Sequence, residues 1–382
     1  MRTVPLDELP IRGALDRDVT ATGIVLRRLP SWTRHQLVDP ALALVVTMPA
    51  GVRLASLTDA RSLELDVMLT VLQLDDALFP PAAFDLVVGD EVRASVQTTS
   101  GTRLVVETRT GALDLVAGEQ ATIRFDDLPG DASVPVEVWL PHACVVELRA
   151  VRIDDGATMR PAPAAPRRWV HYGSSISHCL EARRPTETWP AIAARRAGVD
   201  LVNLAVAGQC MLDPHVARTI RDLEADAISV KAGINVVNAD SMRERTYVAA
   251  LHGFLDTVRD GHPDTPVALV TPVICPVAES DPGPTPLGDD GVVHVVPRPP
   301  ALALGALSLR RIREVMAAVV AARREAGDAH LHLVDGLALF GPDDVGDLPD
   351  GLHPNPAGYQ RIGDRFFDLA FGPGGPLAPP PA

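Results

Sequence analysis

The chain has 382 residues, 47% of them apolar and 22% charged, with a net charge of −14 and a pI near 5.2. These are the proportions of a globular protein long enough for two domains, and the acidic balance argues against nucleic acid and anionic membrane surfaces as partners. Residues Met1–Glu8 contain no apolar signal-peptide core, no stretch of uninterrupted apolar residues is long enough to span a bilayer, and the four cysteines (Cys144, Cys179, Cys210, Cys275) lack paired CxxC spacing; a cytoplasmic protein with reduced thiols and no zinc site is therefore expected.

Residues 1–155 read as β. Leu63–Val67 and Ala121–Phe125 alternate apolar and polar positions, and Val134–Leu140 continues the pattern, its Pro135 suggesting an edge strand. Turn signals at Ser100-Gly101 and Pro129-Gly130-Asp131 separate the runs, and no helix periodicity stands out. An antiparallel, jelly-roll-like sandwich is expected. Residues 156–167 carry three prolines among small residues and are expected to be a linker without regular structure.

From residue 168 the pattern alternates. Strands are expected at Trp169–Tyr172, Leu201–Leu204, Ala227–Lys231, Val267–Val270 and Leu331–Val334. Helices are expected at Trp189–Ala197, Pro214–Leu223, Met242–Arg259, Ser308–Ala326 and Ala357–Phe371. Such alternation predicts an α/β domain, 168–371, with a parallel sheet flanked by helices. Residues 276–305 interrupt it with a proline-rich loop that has the character of a lid. Residues 372–382 are rich in Gly and Pro and are expected to be a disordered tail.

Four short segments carry the chemistry. Tyr172-Gly173-Ser174-Ser175 follows the first expected strand and offers a serine at a sharp turn. Asp350-Gly351-Leu352-His353 precedes the last helix and offers a histidine with a carboxylate to orient it. A serine hydroxyl is a poor nucleophile at neutral pH unless a base takes its proton, and the base needs its tautomer fixed. Between them, Asn203-Leu204-Ala205-Val206-Ala207-Gly208 and Lys231-Ala232-Gly233-Ile234-Asn235 each follow an apolar run and end on a hydrogen-bond donor. Fixed donors of that kind stabilise the oxyanion of acyl transfer. Ligands of open α/β sheets bind at the carboxyl ends of the strands, where Ser175, Gly208 and Asn235 all fall.

These four segments, in this order, resemble the four blocks of the SGNH/GDSL family of serine esterases and acyltransferases. The resemblance implies a flavodoxin-like fold, Ser175 as nucleophile, Asp350 and His353 completing the triad, and an oxyanion hole of Ser175 N–H, Gly208 and Asn235. Ser174 stands where the family usually has aspartate, and Val236 where an aspartate often follows the asparagine. His178, Cys179, Gln209 and Met211 are further candidates for the pocket. A cysteine nucleophile at Cys179 or Cys210 is the alternative to Ser175, and Lys231, the sole lysine, is given no role.

No metal or cofactor is expected. The implied partners are a small-molecule ester or acyl donor and a hydroxylated acceptor. Hydrolysis of esters of a sugar-like or natural-product molecule is the first expectation. The second is acyl transfer from an acyl-CoA co-substrate to a polyketide hydroxyl in antibiotic biosynthesis, because the two-domain layout is similar to that of a salicylyl-transferring member of the family. The third is a sugar-binding protein whose catalytic half is inactive.

Overall fold

The computed structural model describes residues 1–75, 77, 78, 80–107 and 110–379. The chain forms two compact units. The first comprises Met1–Ala164 with Cys179–Ala191, and the second Ala165–His178 with Ile192–Ala382.

The first unit is β-rich, with sheets of nine and six strands among the described residues. The larger is built on the long strand Leu63–Leu74, paired along one side with Cys144–Ile153 and along the other with Ala121–Phe125 and, in parallel, Thr102–Val106. The smaller runs in the order Met159–Pro161, Arg53–Thr58, Pro135–Trp139, Ala82–Val88, Glu91–Thr98. Leu65, Val67 and Leu69 of one sheet share a core with Leu54, Phe84 and Val138 of the other, the outcome that alternating apolar positions dictate.

Several details depart from the sequence reading. Pro135 lies on an interior strand, between Arg53–Thr58 and Ala82–Val88. It is tolerated because it is the strand's first residue, where its missing N–H breaks no ladder. The expected linker contains the strand Met159–Pro161, whose edge position likewise accommodates a proline. A short helix, Pro40–Val45, starts behind Asp39, whose carboxylate accepts from the N–H groups of Ala41 and Leu42. Finally, Cys179–Ala191, expected within the α/β domain, belongs to the β-rich unit. Buried Asp85 holds it, accepting from the Thr186 N–H at 3.1 Å and hydroxyl at 2.5 Å, and Ala191 packs with Val87 and Trp139.

The second unit has a five-stranded, wholly parallel sheet in the order Asp200–Asn203, Arg168–Gly173, Ala227–Lys231, Val267–Val270, Leu331–Val334. Apart from Arg168 its inner strands are buried throughout, which is why they read as largely apolar runs and not as a two-sided alternation. The expected helices are present with ends displaced by a residue or two, except that the last divides into Pro356–Phe366 and a π-turn at Phe367–Phe371. Residues 372–379 are not a loose tail: Leu377 is fully buried, its N–H donates to the Ala370 carbonyl, and its own carbonyl accepts from Arg167. Residues 380–382 lie outside the described residues. In this strand order the chain reverses its winding direction at Arg168–Gly173, and the crevice that such a reversal opens is where Ser175 emerges.

Candidate active site

Ser175 opens a four-residue helix, Ser175–His178, directly after the first parallel strand. Its Oγ lies 2.8 Å from His353 Nε2, and His353 Nδ1 lies 2.6 Å from Asp350 Oδ2. The spacing of Asp350 and His353 has a local cause. Asp350 Oδ1 accepts from the backbone N–H groups of Leu352 (2.8 Å) and His353 (2.6 Å), folding the segment into a tight turn, while Oδ2 holds the ring. One carboxylate thus shapes the turn and fixes the imidazole tautomer, with Nδ1 protonated and Nε2 free to accept the serine proton. Burial alone would raise the Asp350 pKa; the bonds from the His353 ring and the two N–H groups outweigh it and hold the carboxyl below its usual range.

The expected oxyanion donors follow the neighbouring strands. Gly208 is exposed with φ of +71°, a left-handed turn that glycine adopts without penalty. Asn235 sits on the short helix Ile234–Asn238 and is buried. Its Oδ1 accepts from the Cys210 N–H at 3.1 Å, which turns the Nδ2 donor away from Cys210 and leaves it without an acceptor among the described residues. The helix begins behind Gly233, φ +132°, where a Cβ would lie 2.7 Å from Ile312 Cγ2. Only glycine permits the approach that sets Asn235 at this depth.

The other candidates divide. Gln209 and Met211 are half-buried on the loop after Gly208. His178 and Cys179 are fully buried and offer no surface to a cleft, because the chain dives into the core directly after the Ser175 helix. Cys210 is also fully buried, with Sγ directed at the Lys231 carbonyl at 3.8 Å and burial pushing its thiol up to about 12; neither cysteine is presented as a nucleophile. Ser174 is fully buried, whereas Ser175 keeps 7% exposure and faces the histidine. Lys231 is 2% exposed at its strand's end.

Sequence reasoning gave no role to Asn203 or Tyr172, and it singled out the loop 276–305 without its partners. Asn203 donates Nδ2 to the Ser177 carbonyl at 3.2 Å and accepts from the Ala205 N–H, tying the Ser175 helix to the loop that leads to Gly208. Its place at a strand end, before small residues, was the available signal. Tyr172 donates to Asp213 at 2.9 Å. The irregular loop 276–305 is anchored beside the site: Thr285 N–H donates to the Asn238 carbonyl and Val293 N–H to the Asp350 carbonyl, while Arg298 pairs with Asp240. Nothing local in its sequence marks those partners.

The comparisons place the chain in a family. A family model of GDSL-like lipases and acylhydrolases matches residues 171–361. The chain belongs to that family. It is an enzyme of the GDSL esterase and acyltransferase group, with the group's α/β fold following a β-rich domain in the sequence. Among solved structures it is similar to SsfX3, a salicylyl-acyltransferase from a tetracycline biosynthetic pathway, at 28% identity and a TM-score of 0.77 over 95% of each chain. It is also similar in fold to a protein from Bacteroides ovatus described as a GDSL-like lipase (18% identity, TM-score 0.66, covering 96% of this chain and 95% of that one). A family two carbohydrate esterase from Cellvibrio japonicus shares the fold at 11% identity and a TM-score of 0.57, over 96% of each chain. No curated protein sequence matches the chain. Among the described residues no helix is long and apolar enough to cross a membrane.

Proposed function

We propose that this enzyme moves an acyl group through an ester on Ser175. The observation that carries the reading is the continuous hydrogen-bonded chain Ser175–His353–Asp350. His353 Nε2 takes the hydroxyl proton as Ser175 Oγ attacks the carbonyl carbon of an ester or thioester. The oxyanion is held by the N–H groups of Ser175 and Gly208 and by Asn235 Nδ2. Collapse expels the alkoxide or thiolate, which takes the proton from His353, and leaves an acyl-serine. A second hydroxyl then gives its proton to His353 and attacks the acyl carbon; collapse releases Ser175, whose Oγ takes that proton back from His353. Asp350 stays ionised and supports the imidazolium that forms in both halves. The mechanism calls for no metal or cofactor beyond the acyl donor.

The second hydroxyl decides the reaction. If it is water, the enzyme is an esterase for a small hydroxylated molecule. If it belongs to an acceptor, the enzyme is an O-acyltransferase, and an acyl-CoA is the fitting donor. The whole-length similarity to a salicylyl-acyltransferase favours transfer to a natural-product hydroxyl, whereas the carbohydrate esterases speak only for the fold. Incubating the protein with aryl esters or acyl-CoA, with and without polyphenolic or sugar acceptors, separates the readings. Transfer predicts acylated acceptor in excess of free acid. Free acid alone, whatever the acceptor, favours hydrolysis, and no turnover together with no labelling of Ser175 by a sulfonyl fluoride points to an inactive, ligand-binding protein.

A further inference from the structure

We propose that Tyr172 and Asp213 are positioning residues that hold the loop 207–213 so that both of its oxyanion functions, the Gly208 N–H and the orientation of Asn235, are set in advance of substrate. The inference rests on the oxyanion reading above and adds to it the machinery that aims the donors.

The loop has two tasks. Gly208, exposed and left-handed at φ +71°, stands at one end. Two residues later, the Cys210 N–H takes Asn235 Oδ1 and thereby fixes which way the amide faces. A loop that drifted by a few tenths of an ångström would misplace both donors together, and transition-state stabilisation is sensitive to such shifts. The loop is therefore expected to be anchored, and its far end is. Asp213 Oδ2 accepts from the Tyr172 hydroxyl at 2.9 Å and from the Met211 N–H at 3.4 Å. Cys210 Sγ meets the Lys231 carbonyl. Between these points Leu212 adopts φ of +57°, a left-handed conformation that a leucine keeps only when its surroundings impose it.

A second observation concerns Asp213 itself. It precedes Pro214 at the start of the helix Pro214–Asp222, the position where an aspartate ordinarily caps the helix with its side chain. It makes no such bond. Its carboxylate serves Tyr172 and the loop instead. Tyr172 is fully buried on the strand that leads to Ser175, and its ring stacks on Phe254 with centroids 5.4 Å apart. The hydroxyl thus links the nucleophile's strand to the donors' loop through the Asp213 carboxylate and also meets the Cys210 side chain.

The test is steady-state hydrolysis of p-nitrophenyl acetate, with melting temperature measured on the same samples. Tyr172→Phe keeps the ring and its stacking and removes only the hydroxyl, with its bonds to Asp213 and Cys210 on the loop. It is expected to lower kcat about tenfold, with KM within about twofold and the melting temperature nearly unchanged. Asp213→Ala should do the same, whereas Asp213→Asn, which retains an acceptor oxygen, should keep most of the rate. In an Asn235→Ala background the loss caused by Tyr172→Phe should shrink, because one of the two donors it positions is gone. A slow Asn235→Ala enzyme together with a full-rate Tyr172→Phe enzyme would overturn the inference alone, as would a Tyr172→Phe loss of equal size in both backgrounds. Asn235→Ala at full rate would overturn the oxyanion reading and this inference with it.

Discussion

A hydroxyl 2.8 Å from an oriented imidazole and a second hydroxyl next to it, fully buried, make a sharp contrast between adjacent serines. Ser175→Ala should abolish turnover without unfolding the protein, since it removes one oxygen from a rim position and opens no large cavity. A sulfonyl fluoride should add one label per chain, at Ser175, by mass spectrometry of the digest; a label on Ser174 would contradict the assignment. Asn235→Ala should reduce kcat by about 10²–10³ with a much smaller change in KM, in line with other oxyanion-hole deletions. Asp350 is held below the ordinary carboxylate range and so remains charged through neutral and mildly acidic pH. The acid limb of a kcat/KM profile should consequently report the protonation of His353, and Asp350→Asn should depress the plateau of that profile without creating a new limb near the carboxylate range. At this scale much was legible in the sequence. Serine, aspartate and histidine stand in segments whose residue order encodes their geometry, the Asp350 turn most directly. Tyr172 and Asp213 were not legible, because a bond between residues 41 apart leaves no local signature.

Among the elements, the parallel sheet was readable because its inner strands are buried on both faces and separated by amphipathic helices. Segment 179–191 was not, since a stretch lying between a strand and a helix gives no sign that its partners are Asp85 and Trp139, far earlier in the chain. That segment leads directly out of the Ser175 helix, so its anchoring bears on the proposed nucleophile. Asp85→Ala would leave the buried Thr186 N–H and hydroxyl without an acceptor, at a cost of about 1–3 kcal/mol. The urea midpoint should fall accordingly, and Asp85→Asn should recover part of it. A truncated chain starting at Ala165 would strand this segment without its sheet; aggregation or loss of aryl-ester hydrolysis is expected, and full activity in such a chain would show that 179–191 can be held without residues 1–164. The loop 276–305 is a further element whose sequence shows only prolines, whereas its bonds to Asn238 and the Asp350 carbonyl join the two segments that bear Asn235 and His353.

For the whole molecule, stability should depend on pH through two buried histidines. Burial lowers His142 to about 4, against a smaller opposing bond from the Cys179 backbone, and lowers His171 to about 3, with Lys231 adding to the effect. A folded-state pKa below the unfolded one means that the unfolded chain binds more protons between the two values. Stability therefore rises with pH across that window and is lost as pH falls from about 6.5 toward 4, by up to ~1.4 kcal/mol per pH unit for each histidine. Urea midpoints taken at intervals from pH 7 to 4.5 should decline steadily, and a flat series would show that these rings are protonated without cost. At lower pH, depressed carboxylates such as Asp344, where bonds from the Gly341 N–H and Arg365 outweigh burial, should accelerate the loss.

The single lysine has a bearing on how this protein meets activated acyl compounds. Thioesters and aryl esters acylate accessible amines and thiols without any catalyst, and most proteins exposed to them accumulate such adducts. Here the only lysine is 2% exposed and all four cysteines are buried, so every outward-facing cation of a side chain is a guanidinium or an imidazole. The folded surface thereby offers its proposed donors no amine or thiol side chain with which to form a stable adduct. Apart from the chain's terminus, a stable acyl adduct found on the intact protein has Ser175 as its natural address, and the mass of the whole chain would read the occupancy of the intermediate directly.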